Sequence, residues 1–247
     1  MSEYLTGKTA VVTGASRGFG RAMSIALARE GVRVALVGRD AAKLNETAGM
    51  AAGSVPFIAD VTSEAAVLQL EKDVAERFGA VQILINNAGM NLRKPLTEFT
   101  LEEWRLVMDT NVTSAFLCSR AFIPHMKGRG YGRILFLTST MSHVSLPERS
   151  AYSSSKTALL GMTKALALEL APEQITVNGI SAGPFPTEMN TALVNDPVRS
   201  AQWLTRCPLG RWGDVDDIGS LAVYLCSKEA SFITGTDVVI DGGWIAQ

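Results

Sequence analysis

Lys8-Thr9-Ala10-Val11-Val12-Thr13-Gly14-Ala15-Ser16-Arg17-Gly18-Phe19-Gly20 is the stretch on which the fold turns. Residues 8–13 are apolar and β-branched, the composition of a short strand buried on both faces. A glycine-rich turn follows, and a helical pattern then runs over 21–29 and stops at Gly31. Strand, glycine-rich turn and helix make the opening of a dinucleotide-binding βαβ unit. The glycines let the backbone turn tightly and approach a pyrophosphate. The N–H groups that open the helix attract its charge. The spacing is G-x-x-x-G-x-G rather than G-x-G-x-x-G. Taken alone, such a turn is also compatible with a structural bend.

The alternation continues along the chain. Strands are expected over 32–37, 55–59, 81–85, 133–137, 175–180 and 238–240. Helices are expected over 41–52, capped by Asp40, and over 63–78. A long helix from 100 to about 126 opens on a capping box of Thr100 and Glu103. Further helices cover 150–170 and 214–227. This pattern predicts an α/β fold: one doubly wound Rossmann domain over 1–247, a seven-stranded parallel sheet with helices on both faces. Residues 184–213 carry several Pro and Gly, little periodicity, and Trp203 and Trp212. The segment is too long for an ordinary connection and reads as a lid over the site.

Composition narrows the function. The formal net charge of −1 makes no electrostatic case for nucleic acid or an anionic membrane. No apolar run reaches the ~18 residues of a membrane span, and the start of the chain has no secretory pattern. The three cysteines, Cys118, Cys207 and Cys226, are odd in number and widely spaced. They read as reduced thiols of a cytoplasmic protein. With only His125 and His143 as histidines, no metal site is expected.

In open α/β sheets, ligands bind beyond the carboxyl ends of the strands. The unusual polar residues fall at those ends: Gly14–Gly20, Gly38-Arg39, Asp60, Asn86–Gly89, Ser139 and Gly183–Thr187. Strand two ends in Val37-Gly38-Arg39-Asp40. An acidic residue at that end would hold ribose hydroxyls and exclude a 2′-phosphate, whereas Arg39 pairs with one. Arg17 is a second cation aimed at the same region. NADP is therefore favoured over NAD, with two solvated arginines, and Asp40 reaching the ribose, as the alternative. Tyr152 and Lys156 lie four apart on a helix, hence on one face. A phenol titrates near ~10, and an adjacent ammonium should favour the phenolate. The pair could then move a proton to or from an alcohol oxygen.

These residues carry a family resemblance. The ordered set Thr13-Gly14-x-x-x-Gly18-x-Gly20, Asp60, Asn86-Asn87-Ala88-Gly89, Asn111, Ser139 and Tyr152-x-x-x-Lys156 resembles the short-chain dehydrogenase/reductase superfamily over nearly the whole chain. One departure is Ala182-Gly183-Pro184, where the family usually has Pro-Gly. The resemblance implies catalytic roles for Asn111, Ser139, Tyr152 and Lys156. Tyr152 would exchange the proton and Ser139 would hydrogen-bond the substrate oxygen. Lys156 would hold the nicotinamide ribose, and Asn111 would anchor a water chain to Lys156. It implies cofactor contacts from Gly14, Ser16, Arg17, Gly18, Phe19, Gly20, Arg39, Asp60, Val61, Asn87, Ala88, Gly89, Gly183, Phe185 and Thr187, besides Tyr152 and Lys156. Asp60 and Val61 would touch adenine, Asn87–Gly89 the adenosine ribose side, and Phe185 and Thr187 the nicotinamide amide. Homotetramers built through the long helices and the last strand region are common in such proteins. The ending Asp241-Gly242-Gly243-Trp244 resembles that contact, with a tail packed on its own domain as the alternative. For Asn111 alone, the alternative is a helix-kinking residue satisfied by backbone.

For substrate, Thr187–Val194 and the pattern from Trp203 to Asp214 look most like gluconate 5-dehydrogenases. Arg93, after Asn86–Gly89, would then pair with a substrate carboxylate, with Ser139 and Tyr152 at the reacting oxygen; a surface cation is its alternative. Reduction of 3-oxoacyl thioesters on acyl carrier protein is the second enzymatic reading. A dinucleotide-binding sensor or scaffold is the non-enzymatic one, which the intact Ser139, Tyr152 and Lys156 argue against.

Overall fold

The computed structural model describes residues 2–246; Met1 and Gln247, inside the expected 1–247 domain, lie outside the described residues. Seven strands form one sheet: β1 Thr9–Thr13, β2 Arg33–Gly38, β3 Val55–Ile58, β4 Ile83–Asn86, β5 Gly132–Leu137, β6 Ile175–Ala182 and β7 Asp237–Ile240. Their order is β3-β2-β1-β4-β5-β6-β7, with every neighbouring pair parallel. The chain runs outward from β1 to β3 and then returns to the other side of β1 with β4. That reversal is the switch point at which such sheets bind ligands.

The helices are α1 Ser2–Leu5, α2 Gly18–Arg29, α3 Ala41–Met50, α4 Glu64–Phe78, α5 Leu101–Met108, α6 Ser114–Phe122, α7 Ser150–Leu170, α8 Thr191–Val194, α9 Pro197–Leu204 and α10 Val215–Cys226. Side chains alternate across the sheet, as the period of a strand requires. Ala10 and Val12 of β1 point into one core with Met23, Leu27 and Ile218, whereas Val11 points into the other with Val67, Leu70 and Phe122. All residues of β1, β4, β5 and β6 are buried. This burial on both faces is why those strands read as continuous apolar runs. Side-chain caps set the helix starts: Asp40 accepts from Lys43 N, and Thr100 and Glu103 close a reciprocal box.

Two expectations need correction. The single helix from 100 to about 126 is broken: a π-helical turn at Asp109–Thr113 separates α5 from α6, and a 3-10 turn, Ile123–His125, follows α6. Asn111 sits in that π turn with its side chain turned inward, 1% exposed, and such turns recur at functional sites. Second, 184–213 has more regular structure than its composition suggests, with a 3-10 turn at Glu188–Asn190 followed by α8 and α9. Asp196 caps α9 through Val198 N and Arg199 N, and Pro197 occupies the first turn, where its missing N–H costs nothing. The tail packs on its own domain, with Trp244 stacked on Trp203 at 5.7 Å.

Candidate active site

The strand ends around the switch point open onto one cavity of about 510 Å³. The glycine turn forms its floor. Gly14 (φ 65°) and Gly18 (φ 52°) hold backbone conformations that other residues rarely adopt. A Cβ on Gly14 would lie 2.8 Å from Asn87 Nδ2 and 3.1 Å from Ala88 Cα. Arg17, the N-cap of α2, makes no side-chain capping bond, so the first N–H groups of the helix face an anion unscreened. Ser16, Arg17, Phe19, Arg39, Asp60 and Val61 line the same floor and rim. The Asp60 carboxylate accepts from Thr62 N at 3.0 Å and Thr62 Oγ at 2.7 Å. Those bonds, with Arg39 nearby, hold its pKa below the usual range.

Gly20 and Phe185 are not among the cavity-lining residues. A Cβ on Gly20 would fall 2.2 Å from Gly14 O, so this glycine is required by packing between turn and helix. Phe185 is 2% exposed and meets Phe19 edge-on at 5.2 Å; its carbonyl accepts from Thr187 N and Asn190 Nδ2. Asn87 lines the cavity but commits its amide to Thr13 O (2.8 Å) and Gly14 O (3.1 Å). It thereby clamps the turn to the end of β4. Ala88, Gly89, Gly183 and Thr187 complete the wall.

Ser139, Tyr152 and Lys156 meet at the far end of the cavity. Ser139 Oγ accepts from Met141 N at 3.1 Å, which leaves the hydroxyl hydrogen available to donate. His143 joins this connection to β7: its Nε2 lies 2.6 Å from Asp237 Oδ2, and Thr138 Oγ donates to the other oxygen of that carboxylate. Lys156 Nζ donates to Leu137 O at 2.5 Å, and burial lowers its pKa to about 8. Lys156 Nζ lies over the Tyr152 ring, 5.8 Å from its centroid, within the range at which a cation acts on an aromatic ring. Burial raises the Tyr152 pKa, and the opposing pull comes from the Ser139 hydrogen bond, Arg149 and Arg93.

Asn111 stands behind this wall. Its Oδ1 accepts from Met90 N, and its Nδ2 donates to Met90 O and to Ser155 Oγ. Ser155 Oγ in turn donates to Tyr152 O. The amide is satisfied mainly by backbone, as the alternative reading had it, and it joins the π turn to the helix carrying Tyr152. Gly89 lies between it and Lys156: a Cβ there would be 3.2 Å from Asn111 Oδ1 and 3.4 Å from Lys156 Nζ.

The segment 184–213 closes one side. Thr187, Glu188, Asn190 and Trp203 line the cavity, while the Met189 and Ala192 side chains, within the quoted 187–194 stretch, lie outside the described residues. Arg93 reaches this segment, donating from Nη2 to Asn190 Oδ1 at 3.2 Å. Glu188 sits 3.9 Å from Arg17 of the glycine turn.

A family model described as "Enoyl-(Acyl carrier protein) reductase" matches residues 14–245. The chain belongs to the short-chain dehydrogenase/reductase family. It is 38% identical over 246 residues to a gluconate 5-dehydrogenase of Gluconobacter oxydans (strain 621H), covering 97% of this chain and 95% of the relative. It is 35% identical over 241 residues to a 3-oxoacyl-[acyl-carrier-protein] reductase of Staphylococcus epidermidis (strain ATCC 35984), covering 96% and 98%. A solved structure from Beutenbergia cavernae, named as an NAD(P)-dependent gluconate 5-dehydrogenase with bound NADP at low occupancy, superposes with a TM-score of 0.93. It is 35% identical, with 100% of both chains covered.

Family motifs point to the proton-transfer end but not to all of its neighbours. Arg149, Trp203 and Trp244 also line the cavity. Arg149 precedes Tyr152 by three residues on the connection from Ser139, and that place in the sequence is the signal that could have found it. The residue is partly buried, with its Nη1 fully so.

Proposed function

We propose that this chain is an NADP-dependent oxidoreductase interconverting a secondary alcohol and a carbonyl on a sugar acid, in the manner of a gluconate 5-dehydrogenase. The observation that carries the reading is that Ser139, Tyr152 and Lys156 share one cavity with an anion-seeking glycine turn. The cradle fits a dinucleotide. Gly14 lets the turn pack against Asn87 and Ala88 where a Cβ would collide, the α2 N-terminus lacks a capping side chain, and Arg17 and Arg39 supply positive charge at the rim. Arg39 and Arg17 would hold a 2′-phosphate, Asp60 and Val61 the adenine, and Gly183 and Thr187 the nicotinamide side. When bound, the nicotinamide supplies or accepts the hydride.

The protein's own part is position and proton transfer. Ser139 donates to the substrate oxygen and stabilises charge that develops there. Tyr152 gives its phenolic proton to that oxygen during reduction and takes it back during oxidation. Lys156 holds the ribose beside the ring. Asn111, adjacent to Lys156 across Gly89, supports a water chain and braces α7 through Ser155. Residues 184–213 act as the lid. Tyr152→Phe should lower turnover by several orders of magnitude while NADPH still binds, read by NADPH fluorescence and initial rates. Near-wild-type turnover would sink the assignment.

The sugar-acid reading is supported by Arg93 at the pocket and by the Gluconobacter and Beutenbergia relatives. Reduction of 3-oxoacyl thioesters is the second reading, supported by the Staphylococcus relative. An NADP-linked screen of 5-ketogluconate, gluconate, polyols and acetoacetyl thioesters separates them. A cytoplasmic homotetramer completes the reading. Buried thiols at Cys118, Cys207 and Cys226 support the compartment. Exposed Leu101, Leu106, Phe116 and Leu168 on α5, α6 and α7 support the association. Among the described residues no helix is long and apolar enough to cross a membrane.

A further inference from the structure

We propose that Arg149 determines substrate specificity: together with Arg93 it holds the carboxylate of an acidic substrate whose reacting carbon lies against Tyr152. This rests on the oxidoreductase reading above and names the group that selects within it.

Arg149 lines the same cavity as Tyr152 and Arg93. Among the described residues, its Nη1 is buried without a hydrogen-bond partner. A buried, unpaired N–H on a charged group is costly, and an incoming acceptor removes that cost. The surroundings make the position worse for a cation on its own. Arg93 is close enough for the two guanidiniums to repel. Arg149 is also the N-cap of the 21-residue helix α7, whose first turn contains no acidic residue, so the positive end of the helix dipole adds to the same sign. The nearby acid, Glu148, is exposed.

The backbone just before Arg149 is itself unusual. Glu148 has φ 64°, a left-handed conformation that a non-glycine residue adopts at a cost. That turn leads the chain directly into Arg149. Strain and like-charge crowding at one point, beside the proton donor, are what a site awaiting an anion would display.

Two more donors line the cavity. Among the described residues, Trp203 Nε1 and Trp244 Nε1 are each buried without a partner, and the two indoles are stacked at 5.7 Å and packed with Tyr152. Asn91 Oδ1 is an unpaired acceptor on the same cavity. A wall richer in unsatisfied donors than acceptors, with two guanidiniums, is complementary to a carboxylate carrying hydroxyl groups. A thioester offers neither the charge nor the hydroxyls.

The test uses the NADPH-saturated protein, in which neither alcohol can be oxidised, and a matched ligand pair, D-gluconate and D-sorbitol, which differ in carrying a carboxylate or a hydroxymethyl group. Titration calorimetry of the wild type should show gluconate binding at least about tenfold tighter than sorbitol, the scale of one charge-assisted hydrogen bond. Arg149→Gln should weaken gluconate about 10- to 100-fold and sorbitol far less, so the ratio collapses. Arg149→Lys should restore part of it. Equal losses for both ligands would mark a structural residue and overturn the inference, as would a wild type that does not distinguish the two. Tyr152-dependent turnover of acetoacetyl thioesters alone would instead sink the sugar-acid reading. Gluconate turnover with an Arg149-independent acid preference would leave that reading standing and remove only Arg149.

Discussion

Replacing Gly20 by alanine should damage both the fold and cofactor binding, although Gly20 is not among the cavity-lining residues. The new Cβ would fall 2.2 Å from Gly14 O, 2.8 Å from Gly14 C and 2.6 Å from Asn87 Nδ2. Ordinary van der Waals contact begins at 3.4 Å, well beyond all three distances, and two of these atoms are backbone. Either α2 moves away from the turn, or Gly14 moves and Asn87 loses its bonds to Thr13 O and Gly14 O. Overpacking of this kind costs about 1 to 3 kcal/mol. Two lost hydrogen bonds add about 1 kcal/mol each. The total is roughly 3 to 5 kcal/mol, and at about 2 to 4 °C per kcal/mol for a chain of this size the melting temperature should fall by about 6 to 20 °C. Gly49 is the control. It lies near the end of α3 with nothing within 4 Å of its added Cβ, so Gly49→Ala should stabilise by about 0.5 to 1 kcal/mol. Thermal unfolding followed by circular dichroism reads the stability, and NADPH fluorescence reads the turn. An alanine variant at position 20 that melts within about 2 °C of the wild type and binds NADPH unchanged would refute the packing argument.

Arg39→Ala should shift preference from NADPH toward NADH by about 10- to 100-fold, the scale of a charge-assisted phosphate contact; kcat/KM for the two cofactors measures it, and an unchanged ratio would remove Arg39 from phosphate recognition. Lys156 gives a pH signature. Its pKa falls from 10.5 to about 8 on folding, so between those values the unfolded chain holds the extra proton and this group's contribution to stability rises with pH. Below about pH 8 both states are protonated and the burial penalty is complete, roughly 3 kcal/mol. Urea denaturation of wild type and Lys156→Met should therefore show the wild type gaining about that much on the variant between pH 7 and pH 10.5. The bond lost to Leu137 O offsets the two curves without changing their slopes, so parallel curves would contradict the assigned burial.

Strands and caps were readable because their causes are local. A strand covered on both faces must be apolar throughout, as β1, β4, β5 and β6 are, and a cap needs only a polar side chain three residues before its target. The start of α9 was equally local, in Asp196 followed by Pro197, and the composition of 184–213 hid it. What could not be read depends on partners far apart in the chain. Arg93 and Asn190 are 97 positions apart, His143 and Asp237 94, and Asn111 and Ser155 44. The π turn belongs to this second class. A hydrophobic pattern gives a helix over 100–126 but not the extra residue that turns Asn111 inward.

The Tyr152–Lys156 pair shows how far spacing carries an electrostatic argument. Four residues along a helix put both side chains on one face, and that inference holds. Spacing does not give the size of the charge effect, because burial and hydrogen bonding of both groups enter it. Here Lys156 donates to Leu137 O, and burial makes its charge costly enough to bring its pKa to about 8. Arg149 and Arg93 also bias Tyr152, one delivered by a left-handed turn and the other by the loop after β4. A carboxylate bound there would weaken their pull on the phenolate and so add to the burial that already raises the Tyr152 pKa, which suits the phenol to donate in the direction of carbonyl reduction.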